Sequence, residues 1–359
     1  MERRDFFKTM GLIACGMALG NLQGAEIRKD KQMELTRSAL NIDEETAKKL
    51  GLTFETIEIK IDGLKKDYAF LWVADLHVIA NDLSEVEEKS MNIVKSRIDK
   101  TFRNPNNGLT SLENWQMMPE VFNKSGADAV LFGGDICDFS TLASIRALKE
   151  GMHKLTIPYM YARADHDISS WWLATRYTKE INELEKSIDG NEPVQVLEFD
   201  DLMVVSFNNA TSNLPEAGLK RFKEIYAKRK PIIINTHVPF NSLVDKDYAE
   251  MCMSRDLPQR RNLSWGKDCY YKPNAFTQEF LNMVCAADSP VVTVLAGHLH
   301  FPYHGMLTDK ISQHLFVPAF KGNIGVILVK KKKSGKVTAR NNRRDVTSSH
   351  HACFAHARY

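Results

Sequence analysis

Tyr68-Ala69-Phe70-Leu71-Trp72-Val73-Ala74-Asp75-Leu76-His77 is a continuous apolar run of strand length that stops at an acid and an imidazole two residues apart. A run that is apolar at every position, not at alternate ones, suits a strand buried on both faces. The pattern recurs downstream. Ala129–Phe132 ends in Gly133-Gly134-Asp135, and residues 158–162 end near Asp165-His166-Asp167. Residues 231–235 end in Thr236-His237, and Val291–Ala296 ends in Gly297-His298-Leu299-His300. Helical patterns fall between them, over 112–124, 142–155, 216–228 and 276–287. Ser84-Glu85-Val86-Glu87 has the form of a capping box and predicts a helix running toward Phe102. Residues 194–199 and 202–207, joined through Asp200-Asp201, predict a hairpin. Strand–helix alternation of this kind predicts an α/β fold with helices over the sheet faces. In such folds ligands collect at the carboxyl ends of the strands, so five Asp/His clusters should converge on one edge.

The chemistry of those endings points to metal. Residues two apart on leaving a strand can point to the same side, which pairs Asp75 with His77 and His298 with His300. The glycines before Asp135 let the backbone turn sharply there. Carboxylate and imidazole together suit Zn, Mn or Fe, and more than four such ligands suggest two ions. Two metals about 3.5–4 Å apart clamp the attacking and leaving oxygens of a phosphoryl centre. No Cys-x-x-Cys pair occurs, which argues against a structural zinc knuckle.

Composition sets the outer limits. The 359 residues are 26% charged and 43% hydrophobic, a globular balance that makes disorder no default. A net charge of +3 is too mild to argue for a nucleic-acid partner, and none is expected. The basic run Lys330-Lys331-Lys332-Lys333 follows an apolar stretch and is expected to be a solvated strand end.

Asp75-Leu76-His77, Gly134-Asp135-Ile136-Cys137-Asp138, Asp165-His166-Asp167, His237 and Gly297-His298-Leu299-His300 resemble, in this order, the motifs of the calcineurin-like metallophosphoesterases, over about residues 68–330. The resemblance implies two packed mixed β-sheets flanked by helices, an αββα sandwich. It assigns Asp75, His77 and His300 to a first metal, Asp135 as a bridge, and His237 and His298 to a second. The family's third motif usually reads Gly-Asn-His-Asp or Gly-Asn-His-Glu; here it reads Ala164-Asp165-His166-Asp167. Asp165 thus stands where a neutral asparagine ligates the second metal, adding a negative charge and removing an amide donor. His166 would be no ligand but would stabilise the transition state or protonate the leaving oxygen, with Asp167 orienting its ring. Asp138 stands as a candidate for support behind the ligands, but first as a structural turn residue. The implied activity is hydrolysis of a phosphomonoester or phosphodiester by a hydroxide that two divalent or trivalent ions activate. The partner is then a small phosphorylated substrate. Two other classes fit the same residues: a metal-binding relic in which Asp165 marks lost catalysis, and a surface-anchored interaction protein. Retention of His166 speaks against the relic.

Arg3-Arg4-Asp5-Phe6-Phe7-Lys8 resembles a twin-arginine export signal, and the apolar stretch after it is too short to span a bilayer. The expected organisation is a signal peptide over 1–25, an extension over 26–65, the phosphoesterase domain over 66–340 and a polar tail over 341–359. The extension should hold a short helix near 44–50 and a strand near 54–61. Export by a bacterium to the periplasm or beyond follows, through the twin-arginine machinery. Leu12-Ile13-Ala14-Cys15 also resembles a lipobox, and membrane attachment would depend on a lipid at Cys15. Cys252 and Cys269 flank a polar loop and are candidates to pair after export. Changing Arg3 and Arg4 together to lysine should trap the precursor in the cytoplasm, as cell fractionation would show. Normal export of the double variant would mean another route.

Overall fold

A computed structural model describes residues 40–189, 192–208, 213–255 and 262–332. The twin-arginine segment, Cys15 and the polar tail lie outside the described residues.

Among the described residues, eleven strands form two sheets. In the first, β1 (Thr53–Ile61) is followed by β11 (Asn323–Lys331), β2 (Tyr68–Val73), β3 (Ala129–Phe132) and β4 (Tyr159–Tyr161). In the second the order is β5 (Val194–Glu198), β6 (Met203–Phe207), β7 (Ile232–Asn235), β8 (Val291–Ala296), β10 (Ser312–Leu315) and β9 (Tyr303–Met306). The strands that end in Asp or His, β2, β3, β4, β7 and β8, run parallel within their sheets. Both sheets are mixed, because β11 pairs antiparallel with β2, β5 with β6 and β9 with β10.

The apolar runs follow from this layering. Along β2, Phe70 and Trp72 face the second sheet, while Leu71 and Val73 face the helices outside. Along β7, Ile233 faces the first sheet, while Ile232 and Ile234 pack outward. Both faces of each strand are therefore buried, and period-two alternation disappears from the sequence. The outer layer on the first sheet includes α3 (Ser111–Lys124), α4 (Leu142–His153) and α6 (Thr178–Asp189), through Trp115, Leu148 and Ile181. On the second sheet α7 (Glu216–Tyr226) and α9 (Ala275–Val284) cover the core with Phe222 and Phe280. One polar staple crosses between the sheets. Trp72 Nε1 donates to Asn235 Oδ1 at 3.0 Å, and Asn235 Nδ2 donates to Ser206 Oγ at 2.6 Å and to the Phe132 carbonyl at 3.0 Å. A buried amide is tolerated when it is bonded, and this one fixes β2 and β3 against β6 and β7.

Several expectations change. The stretch before residue 66 is no detached extension: α1 (Glu44–Lys49) leads into β1, which pairs with β11 from Thr53↔Asn323 to Ile61↔Lys331. The boundary drawn at residue 65 therefore cuts through one sheet. The helix expected from Ser84 starts later, as α2 (Met91–Ser96), and continues as a π-type turn over Arg97–Thr101. Glu87, the acid of the expected box, pairs with Lys89 at 3.0 Å, and Glu85 accepts from Leu142 N at 2.8 Å. The true capping box is Thr110 with Glu113, at the head of α3. Cys252 and Cys269 are both buried free thiols. Lys330 and Lys332 pair with Asp67 and Asp62 at the end of β11, as a solvated strand end should. No helix among the described residues is long and apolar enough to cross a membrane.

Candidate metal centre

The strand ends of both sheets do converge. Asp75, His77, Asp135 and His300 form one group whose donor atoms all lie within 4.8 Å of one another; Asp135, Asp165, His237 and His298 form a second. Asp135 is common to both, so its carboxylate is placed to bridge. All seven residues expected to bind metal are brought together.

Backbone conformation produces this geometry. Seven non-glycine residues among those described have positive φ, and five are Asp75, His77, Asp135, His298 and His300. The left-handed region costs an L-residue of order 1–2 kcal/mol, and such strain gathers where surrounding structure overdetermines it. Here the loops after β2 and β3 continue each other's ladder: Asp75 N bonds the Gly134 carbonyl at 2.9 Å and His77 N the Asp135 carbonyl at 3.0 Å. Glycines permit the close approach. A Cβ on Gly134, at φ 89°, would lie 2.8 Å from His237 Nδ1, and one on Gly297 would lie 2.6 Å from Asp75 Oδ2. Ala164, in place of the motif's usual glycine, has φ −122° and needs no glycine.

The imidazoles are held from behind. His77 Nδ1 contacts Asp138 Oδ1 at 3.0 Å, which turns Nε2 toward His300 Nε2 at 3.1 Å. His237 Nδ1 donates to the Gly133 carbonyl at 2.8 Å, and its Nε2 lies 3.0 Å from Asp135 and 3.2 Å from His298 Nδ1. The Tyr271 hydroxyl meets His298 Nε2 at 3.1 Å. Ring nitrogens that face one another, with the far nitrogens of His77, His237 and His298 bonded to oxygen, are the arrangement in which histidines bind metal. The donor set fits two ions.

Charge makes the same point. Asp75 and Asp135 are 1% and 2% exposed, and among the described residues no lysine or arginine pairs with either. Buried carboxylates without a cation are costly. In the metal-free protein the histidines supply the charge. Burial pulls the His237 imidazolium down, but the Asp135 charge and hydrogen bond outweigh it and lift the pKa to about 10. His298, buried next to that charge, is pushed down to about 4.

The third motif corrects one expectation. Asp167 does not touch the His166 ring; its carboxylate accepts from the backbone N–H groups of Asp135 at 3.0 Å, Cys137 at 2.8 Å and Ala164 at 2.8 Å. It ties the second and third motif loops together. The ring is oriented by Asp138 instead: His166 Nδ1 lies 2.8 Å from the Asp138 carbonyl and 3.1 Å from its carboxylate. Asp138 is fully buried and also takes a bidentate contact from Arg97, with both bonds at 2.6 Å. The cluster of His77, Asp138 and His166 therefore already holds a cation. Arg97 and Phe102, whose ring stacks on His77 with centroids 4.2 Å apart, lie between motifs, where sequence gives no signal for them. Trp171 is 46% exposed and sets its ring edge-on to His166 at 4.7 Å.

A two-sheet α/β sandwich with this donor set at its strand ends is the layout of a metal-binding hydrolase fold. The chain belongs to the calcineurin-like phosphoesterase family, whose model matches residues 68–302. That family consists of metal-dependent phosphoesterases. Similar solved structures include a dimetal phosphatase from Danio rerio, at 12% identity over 71% of this chain and 88% of that one, with a TM-score of 0.39. A purple acid phosphatase from yellow lupin seeds is also 12% identical, over 75% of this chain and 45% of that one, with a TM-score of 0.37. No curated protein matches the chain in sequence.

Metal binding must expel the proton that His237 holds. Its folded pKa, about 10, is above the usual value of about 6.5. The stability this proton gives the metal-free fold is therefore full below about pH 6.5 and is lost as pH rises through about 10. Metal affinity should rise over the same window. The gain in melting temperature on adding Mn²⁺ should be larger at about pH 8.5 than at about pH 6. His237→Ala should remove most of that pH dependence and lower occupancy of the second ion; an unchanged profile would contradict the assignment.

Proposed function

We propose that the protein hydrolyses a small phosphomonoester or phosphodiester at a two-ion centre, with Asp75, His77 and His300 on one ion, His237, His298 and Asp165 on the other, and Asp135 between them. The observation that carries this is the placement of His166. It stands beside the ligand groups but is bound to Asp138, not turned into the metal set. When bound, two ions supply Lewis-acid stabilisation of phosphoryl oxygens and a water nucleophile at neutral pH.

The protein's own groups do the rest. Asp138 engages His166 Nδ1 and leaves Nε2 to address the leaving oxygen. Burial lowers the His166 pKa, but the charges of Asp135 and Asp138 outweigh it and raise it to about 9, so the ring carries a proton to donate at neutral pH in the metal-free protein. Arg97 holds Asp138 ionised and in place. Trp171 forms a wall beside His166, where the leaving group would lie. The export signal read from Arg3-Arg4 would put this activity outside the cytoplasm.

His166→Ala should leave fold and metal content nearly intact and lower turnover by about 10²–10⁴-fold, most on substrates with poor leaving groups. Full activity of that variant on such a substrate would exclude the mechanism. A relic would turn over no phosphoester in a screen with Mn, Fe and Zn. Asp165→Asn removes one negative charge at the second ion and returns an amide donor. It should lower KM or change the preferred metal, read from steady-state kinetics with each ion; identical kinetics would mean that Asp165 is outside the working site.

A further inference from the structure

Outside this centre, three metal-ligating side chains meet at the edges of the two sheets. Glu55 lies on β1, the edge strand of the first sheet, and His304 on β9, the edge strand of the second. His314 lies on β10, directly across from His304 in the antiparallel register. The spacing of the two histidines repeats that of the ligand pairs, with ring planes at 41° where those pairs stand at 77° and 76°. His77 and His300 face each other with nitrogens 3.1 Å apart and ring centroids 5.1 Å apart; His237 and His298 do so at 3.2 Å and 5.0 Å. His304 Nδ1 and His314 Nδ1 are 3.0 Å apart, with centroids 5.2 Å apart.

The support from behind is repeated too. Asp138 bonds the far nitrogen of His77, and Glu55 Oε1 lies 2.8 Å from the far nitrogen of His304. Glu55 is pinned in turn, since Oε2 accepts from Val317 N at 3.3 Å and Asn323 Nδ2 at 3.4 Å. A carboxylate on Nε2 sets the tautomer that leaves Nδ1 free of its proton and more basic.

We propose that His304 and His314 bind one further transition-metal ion of the Zn(II), Ni(II) or Cu(II) class through their Nδ1 atoms, with Glu55 as the carboxylate behind His304. The remaining positions on the ion are open to water, because the His304 side chain is 33% exposed. Imidazole pairs suit these ions and not Mg or Ca. Binding removes the proton shared between the two Nδ1 atoms while His314 Nε2 takes one up, so both rings bind as neutral imidazoles. The ion would join β9 to β10 and, through Glu55, the edge of one sheet to the other. None of this depends on the hydrolase activity.

The test is zinc stoichiometry by equilibrium dialysis and elemental analysis of the full chain. The parent should bind one equivalent more than His304→Gln or His314→Gln, and Glu55→Gln should weaken that equivalent about 10–100-fold. His237→Ala should lose zinc from the main centre and keep the difference between parent and His304→Gln, so failure of the two-ion centre and failure of this site read out separately. Imidazole ¹⁵N shifts of His304 and His314 in the unmutated protein should move on adding zinc. Equal stoichiometry in parent and both histidine variants, or shifts that stay put, would overturn the site.

Discussion

The centre is organised around burying the Asp75 and Asp135 carboxylates side by side at the junction of two sheets. Two negative charges in a poorly solvated place repel, and each loses hydration. Only nearby cations make the arrangement stable. Among the described residues an arginine pairs with the neighbouring Asp138, but Asp75 and Asp135 have histidines alone. Histidine is a conditional cation, since it neutralises the carboxylates when protonated and yields to a metal when not. The same residues that make the metal-free fold tolerable therefore make it receptive to ions.

Holding those charges requires backbone that is itself unfavourable. Asp75 and His77 both take left-handed φ, as do His298 and His300, so each Asp-x-His or His-x-His pair aims both side chains at one point. The cost is carried by surroundings that have little freedom: a hydrogen-bonded ladder between motif loops, Asp167 tying three backbone amides, and the Asn235 staple beneath. Strain is sustained here because many well-packed neighbours oppose its release.

Much of this was legible in the sequence, for a physical reason. Strands buried on both faces leave long apolar runs, and Asp and His gathered at their carboxyl ends follow immediately after, so β2, β3 and β8 and the seven side chains that meet there could be placed by reading alone. What was illegible depends on contacts between distant segments. β1 was separated from the domain because its partner, β11, lies some 270 residues away, and parallel pairing leaves no local mark. Asp167 looked like the partner of His166 because it is adjacent in sequence. On the helical turn Asp165–Ile168, however, neighbouring side chains point in different directions, and Asp138, from another loop, reaches the ring. Arg97 and Phe102 have no spacing relation to any motif. Trp171 could be noticed as an aromatic near the third motif, but only the fold puts it against His166.

Asp165 changes the electrostatic character of the whole centre. With it, each ligand group holds two carboxylates and two imidazoles, and the two ion positions become chemically alike. Three carboxylates against two divalent ions leave one net positive charge to attract a phosphate, where an asparagine would leave two. On the proposed two-ion reading, long-range attraction of an anion would be correspondingly weaker, and the centre would depend more on direct coordination and on the proton of His166. A trivalent ion at either position would restore the missing charge, and hard carboxylate oxygens suit such an ion. The substitution therefore argues for a shift in which ions the centre prefers and how strongly it draws its substrate, and not by itself for a lost activity, since His166, Asp138 and Trp171, to which the proposed mechanism gives the leaving group, are all in place.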